Sequence, residues 1–229
     1  MTLIFKVIFI TFRIMPMQTC IISKKQTIRV GSRKSELALK QTDLIIKLLS
    51  QHYSNVEFEI VTMDTIGDKI LNKDLSKIGD KSLFTKELEL ALLDKEIDFV
   101  VHSLKDVPTE LSPEFALGCI CMRESTDDAV VMKSGLNFKT LDQLPKDSIV
   151  GTSSVRRIAQ MKHKFSHLKF QSVRGNLNTR LKKLDSTITE LNGDDNVPNY
   201  SALILAKAGL ERIGLEHRIS QVRIYFCFL

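Results

Sequence analysis

Residues 98–109 read Asp-Phe-Val-Val-His-Ser-Leu-Lys-Asp-Val-Pro-Thr, a run that begins as a buried-type strand and ends in a polar turn ahead of Pro108. Lys105 and Asp106 stand just past the carboxyl end of that strand. In open α/β sheets ligands sit in the crevice outside the carboxyl ends of the strands. The stretch therefore predicts both a fold class, α/β, and a place to look for chemistry.

The same grammar extends on either side. Ile28–Gly31 reads as a short strand followed by Arg33, and Ser35 caps a helix with Leu37, Leu44, Ile45, Leu48 and Leu49 at helical spacing. Glu57–Met63 alternates like a strand, residues 64–81 read as a polar mobile loop in which Gly67 and Gly79 supply flexibility, and Leu83–Lys95 is an amphipathic helix. Phe115–Ile120 and Asp128–Met132 are further strands. Then come strand Ser148–Gly151, helix Ser154–Lys164, strand Lys169–Val173, helix Asn176–Leu184, strand Ser201–Ala206 and helix Gly209–Ile213, with 186–199 as a surface loop insertion. Strand–helix alternation predicts α/β sheets with right-handed crossovers. The expected organisation is an N-terminal extension (1–27), a first domain (28–123), a second domain (124–221) and a divergent tail (222–229), with a cleft between the two domains.

The 229 residues carry a net charge of +6, but the excess lies at one end. Residues 1–34 hold seven Lys or Arg and no acid, leaving 26 basic and 27 acidic residues from 35 onward. A near-neutral body argues against a nucleic-acid binder. Cys119 and Cys121 share a face if extended, which places them in packing, and with Cys20 and Cys227 they form no zinc-type spacing. Free thiols in a reducing compartment and no metal are expected. Lys6 and Arg13 interrupt the apolar start, so it is neither a membrane span nor a good signal peptide. A non-native extension with Met15 or Met17 as the true start is the preferred reading, and an organelle transit peptide is the alternative.

Arg33, Arg156, Arg157, Arg174 and Arg180 lie at strand ends or in the helices those strands feed. Guanidinium forks match carboxylates bidentately, so their convergence suggests a ligand with several carboxylates or phosphates. The run Thr152-Ser153-Ser154 opening a helix adds N–H donors and the positive end of a dipole. The competing reading is a set of exposed arginines in minor surface pairs. Asp106 stands among these cations as a candidate to stabilise a cationic intermediate or relay protons, with Lys105 holding it ionised; a turn-forming aspartate is the alternative. His102 reads as a core histidine rather than a general base, and Lys207 and Arg212 have weaker claims.

Four motifs, Arg33–Ala38 (RKSELA), His102–Thr109 (HSLKDVPT), Gly151–Arg157 (GTSSVRR) and Arg174–Leu181 (RGNLNTRL), resemble the porphobilinogen deaminase (hydroxymethylbilane synthase) family in order and spacing, from about Ile28 to Gln221. The resemblance implies two periplasmic-binding-protein-like (type II) domains with mixed sheets, plus a small third domain. It implies a cytoplasmic monomer, or one in a mitochondrion or plastid if the extension is a transit peptide, that touches neither membrane nor nucleic acid. The implied reaction joins porphobilinogen units head to tail into hydroxymethylbilane, releasing ammonia each time, on a dipyrromethane cofactor. Asp106 matches the catalytic aspartate, assisted by Lys105. Arg33, Ser35, Ser103, Thr152, Ser153, Ser154, Arg156, Arg157, Arg174, Arg180 and Arg212 would bind substrate and cofactor side chains.

The family continues past Gln221 into a return segment and a third domain whose Gly-Gly-Cys stretch anchors the cofactor, whereas this chain ends in VRIYFCFL. The anchoring role is not carried over to Cys227. A first sheet left incomplete, with an unpaired edge, and little or no turnover are expected; such an ending resembles a read-through or mis-joined exon. The rival readings are a non-catalytic two-domain anion-binding protein and an inactive isoform.

Overall fold

The structure, a computed structural model, describes residues 9–13, 26–69, 83–122, 124–186 and 198–222. The chain divides into two compact units, Met1–Glu124 and Ser125–Leu229, each α/β with a five-stranded mixed sheet. In the first unit the strands are β1 (Phe9–Arg13), β2 (Gln26–Arg33), β3 (Val56–Met63), β4 (Phe99–His102) and β5 (Phe115–Ile120), in the order β3-β2-β4-β1-β5. Its helices are α1 (Glu36–Ser50), α2 (Ile66–Lys69) and α3 (Lys86–Leu93). The second unit holds β6 (Asp128–Met132), β7 (Ile149–Gly151), β8 (Lys169–Gln171), β9 (Tyr200–Ala206) and β10 (Gln221–Val222), in the order β10-β6-β9-β7-β8. Helices α4 (Val155–Lys164), α5 (Leu177–Asp185) and α6 (Lys207–Arg212) complete it.

Each sheet is covered on both faces, which explains the continuous apolar runs. Along β6, Val130 and Met132 pack into one cluster with Leu141, Met161 and Phe165, while Ala129 and Val131 enter another with Leu181, Leu184 and Leu210. Strand β9 does the same, sending Ala202 and Ile204 to the first cluster and Leu203 and Leu205 to the second. The period of two thus survives although residues 129–132 and 202–205 are all apolar. In the first unit Val100 joins Leu88, Leu92 and Ile97, whereas Phe99 and Val101 turn to Val30 and Ile45. Each such Val or Leu removed from water contributes about 1.5–3 kcal/mol before the entropy of ordering is counted.

Three differences from the sequence reading concern β1, α1 and β5. A strand from the N-terminal extension, β1, lies between β4 and β5 and runs antiparallel to both, leaving β5 at the edge of the sheet. Backbone pairing asks only for an extended segment with free N–H and C=O groups, so a stretch with no other assignment can fill such a slot. Secondly, α1 buries only part of the expected stripe, Ile45 with Leu49 packed beside it. Its buried residues are Gln41, Thr42 and Ile45, while Leu44 and Leu48 are exposed, because the line that faces the sheet runs one position further along the helix. Thirdly, Cys119 is exposed, since β5 is an edge strand whose last four residues face solvent; Cys121, just past it, packs against the Val30–Ile45 cluster.

Smaller differences concern ends. The helix expected from Leu83 starts at Lys86, after a turn, and the one expected from Gly209 starts at Lys207, directly off β9. The polar stretch after Asp64 opens with the short α2, and residues 70–82 lie outside the described residues, as do 187–197 of the proposed loop insertion. No helix among the described residues is long and apolar enough to cross a membrane.

Candidate functional site

Strand β4 ends at His102, and the chain then turns through a single 3-10 turn, Leu104–Asp106, closed by Asp106 N–H donating to the Ser103 carbonyl at 2.9 Å. That turn lifts Asp106 off the sheet end toward Arg33, the last residue of the neighbouring β2. Arg33 Nη1 lies 3.4 Å from Asp106 Oδ2, with both side chains less than one-fifth exposed. The Arg33 guanidinium also covers the Phe84 ring at 4.5 Å. Gly67 makes room for this arrangement, because a Cβ there would strike the Phe84 ring. It serves as a close-approach glycine and not as the loop hinge read from sequence. Arg33 is thus an ion-pair partner of Asp106, and Lys105 is exposed.

Three further groups complete this end of the first sheet. Ser35 is the N-cap of α1, its oxygen accepting from Ala38 N–H at 3.4 Å. Ser103 Oγ donates to Gln41 Oε1 at 3.1 Å, and the buried Nε2 of Gln41 has no hydrogen-bond partner. His102 is buried, and desolvation, followed by the charge of Arg33, pushes its pKa down to about 4. The imidazole is neutral at physiological pH, as suits a histidine in the core.

The second unit builds its end around α4. Ser154 caps the helix, accepting from Arg157 N–H at 3.4 Å, and Thr152 is buried with its N–H bonded to the Gln171 carbonyl. Ser153 Oγ donates to the Val173 carbonyl at 2.6 Å and lies 2.8 Å from Ser172 Oγ. Arg156 and Arg157 leave the first turn of α4 together, and both reach Asp128, the first residue of β6. Arg157 Nε and Nη2 donate to Oδ1 at 2.9 and 2.6 Å, and Arg156 Nη2 donates to Oδ2 at 2.8 Å. Arg157 Nη1 is bound to the Ile204 carbonyl of β9 at 3.0 Å.

After β8, Gly175 adopts φ +114°, a conformation closed to side-chain-bearing residues, and its carbonyl accepts from Arg180 Nε at 2.7 Å. Asn176 then caps α5 through Thr179 N–H at 2.9 Å. Burial, then the charges of Arg157 and Arg174, hold the Arg180 guanidinium below the usual arginine range. Arg157 and Arg174 thus both lie within electrostatic reach of Arg180. Arg212 lies apart in the chain, in the last turn of α6.

Sequence reasoning grouped these residues by strand end and missed two. For Asp128 the signal was an acid at the head of an otherwise wholly apolar buried strand, which requires a cation. Gln41 was passed over although it interrupts the helix line that should be apolar. No group of three or more metal-ligating side chains occurs among the described residues, and Cys227 lies outside them.

Residues 28–227 match the family model described as porphobilinogen deaminase, dipyromethane cofactor binding domain. A porphobilinogen deaminase of Nostoc sp. is 48% identical over 206 residues, covering 90% of this chain and 60% of the relative. Those of Candida albicans (46% over 211 residues, 90% and 59%) and Dictyostelium discoideum (47% over 204 residues, 88% and 60%) are similar. The chain spans about 60% of the length of these curated relatives. Among solved structures, the methionine binding protein MetQ overlaps 86% of this chain and 77% of its own at 14% identity, with a TM-score of 0.39.

Proposed function

This chain belongs to the porphobilinogen deaminase family, and on that premise we propose that it binds porphobilinogen and its oligomers and serves their head-to-tail condensation into hydroxymethylbilane. The observation that carries the reading is the crowding of Arg157, Arg174 and Arg180, which lowers the Arg180 pKa by like-charge repulsion on top of burial. Guanidiniums held together at a cost of this kind are relieved by an anion. Porphobilinogen offers an acetate and a propionate, and every unit added brings two more carboxylates for cations to meet. The same donors fit the dipyrromethane group, which carries the same acidic side chains and, when bound, supplies the pyrrole terminus to which substrate is joined.

Arg157, Arg174 and Arg180 hold carboxylates, Arg156 and Arg212 contribute further charge, and the Thr152–Ser154 segment adds donors at the start of α4. In the first unit Asp106 supplies fixed negative charge. When the aminomethyl carbon loses ammonia, its C–N bond breaks with the electron pair leaving on nitrogen, and positive charge spreads over the pyrrole. A preorganised carboxylate stabilises that charge without reorganisation. Arg33 orients Asp106, Ser35 and Ser103 are polar groups beside it, and Lys105 is available for the acidic side chains. The cytoplasmic, monomeric setting implied by the family accompanies this reading.

The experiment is porphobilinogen consumption by the purified chain with intact mass recorded, repeated with Asp106→Ala. The expected result is substrate binding in both proteins and turnover lower in the variant by about 10²–10³-fold wherever the parent turns over. Equal product formation would falsify the role of Asp106. Absence of porphobilinogen binding to the parent would remove the reading altogether.

A further inference from the structure

The Asp128 carboxylate lies against the arginines of α4, and its burial sets it apart from a surface partner. Its side chain is 5% exposed, whereas Arg157 is 14% and Arg156 is 56% exposed. The two oxygens are divided between the guanidiniums. Oδ1 takes Nε and Nη2 of Arg157, and Oδ2 takes Nη2 of Arg156, whose Nη1 donates onward to Gln160 Oε1 at 2.8 Å. Since Arg157 Nη1 is held by the Ile204 carbonyl, both ends of that guanidinium are tied to strands of the sheet, β6 and β9.

A guanidinium free to choose its rotamer loses several kinds of freedom on meeting an anion, and one already fixed does not. Asp128 also offsets the mutual repulsion of the cations, which otherwise drives Arg157 away from Arg180. We propose that Asp128 is a positioning residue: it clamps Arg156 and Arg157 in the geometry that receives a ligand carboxylate, without touching the ligand. The ligand part of this inference rests on the proposed function; the clamp part does not.

The two parts are tested separately. In the ligand-free chain, the Arg157 Nε–H is followed by NMR as a slowly exchanging side-chain proton. The clamp predicts that Asp128→Asn speeds its exchange at least about tenfold, because a charge-assisted bond is replaced by a neutral one. Exchange that is as fast in the parent as in the variant overturns the clamp, whether or not any ligand binds. The ligand arm uses calorimetry with porphobilinogen. Asp128→Asn is expected to weaken binding about tenfold, and in that background Arg156→Gln and Arg157→Gln cost much less than in the parent, since the arginines have already lost their orientation.

Additive losses, or an unchanged Kd in a folded Asp128→Asn protein, overturn the positioning role. Should Asp128→Asn fail to fold, Asp128→Glu keeps the charge and shifts the oxygens by one methylene, and the same weakening is expected of it. A parent that does not bind porphobilinogen refutes the proposed function and this ligand arm together, while the proton-exchange result still decides the clamp.

Discussion

In the first unit one guanidinium, Arg33, faces one carboxylate, Asp106, at 3.4 Å. In the second, Arg157 and Arg174 both act on Arg180 as like charges, and the buried carboxylate of Asp128 holds Arg157. Both arrangements sit at the same place in their sheets, where strands end and the chain turns into polar segments. The first pairs one charge with its opposite, and in the proposed function its carboxylate answers a positive charge that appears during reaction. The second gathers like charges, which the proposed function assigns to binding an anion. One architecture, used twice, thus carries two opposite electrostatic tasks, and the difference comes from a handful of residues after each strand.

The contrast is most exposed to failure at the paired arginines. Arg157→Leu should cost about 3 kcal/mol of stability because it strips a buried carboxylate of its main partner, whereas Arg156→Leu, whose side chain is more than half exposed, should cost under about 1 kcal/mol. Urea midpoints of the two variants check this. Equal losses would mean that the buried and the exposed arginine do the same job.

The next largest effect belongs to the first unit. His102 titrates at about 4 in the folded protein and near 6.5 when unfolded, so the unfolded chain takes up the proton first as pH falls. Stability contributed by the neutral imidazole is complete above 6.5 and is lost on the way down to about 4. Between pH 7.5 and 5 the expected loss is about 2 kcal/mol. His102→Gln should flatten that slope, and a slope unchanged by the substitution would mean that other groups set the acid sensitivity.

A smaller change sharpens the account of the second unit. Gly175→Ala forces a Cβ onto φ +114° and within 2.6 Å of Thr179 Cγ2, at a cost of about 1–2 kcal/mol. Because the Gly175 carbonyl holds Arg180, affinity for porphobilinogen should fall along with the melting temperature. A shift in melting alone would separate Arg180 from ligand binding.

Much of this was legible beforehand for identifiable reasons. Strands β5 and β6 begin and end where the residues suggested, as short apolar-rich runs that follow Glu114 and Asp127. Ser35 and Ser154 declared the starts of α1 and α4, since a serine ahead of a periodic apolar run has a cap to make. What stayed hidden depends on contacts between distant residues. The partnership of Asp128 with Arg156 and Arg157 joins positions nearly thirty apart. Nothing local in Leu44 and Leu48 says that the helix will turn them outward and bury Gln41 instead. Nor does the pattern of residues 9–13 name the slot it fills, for pairing of that kind is a matter of backbone, which every sequence possesses.

That last feature bears on how the protein is made. Phe9 pairs with His102 and with Ile120, so β1 closes loops on the order of 100 residues. A ribosome delivers this strand first, yet neither neighbour exists until most of the first unit has been synthesised. The parallel trio β2, β3 and β4 can assemble while the N-terminal segment waits with its hydrogen-bonding groups unmatched. Residues 9–13 are therefore made before both of their partner strands and are among the last of this unit to pair.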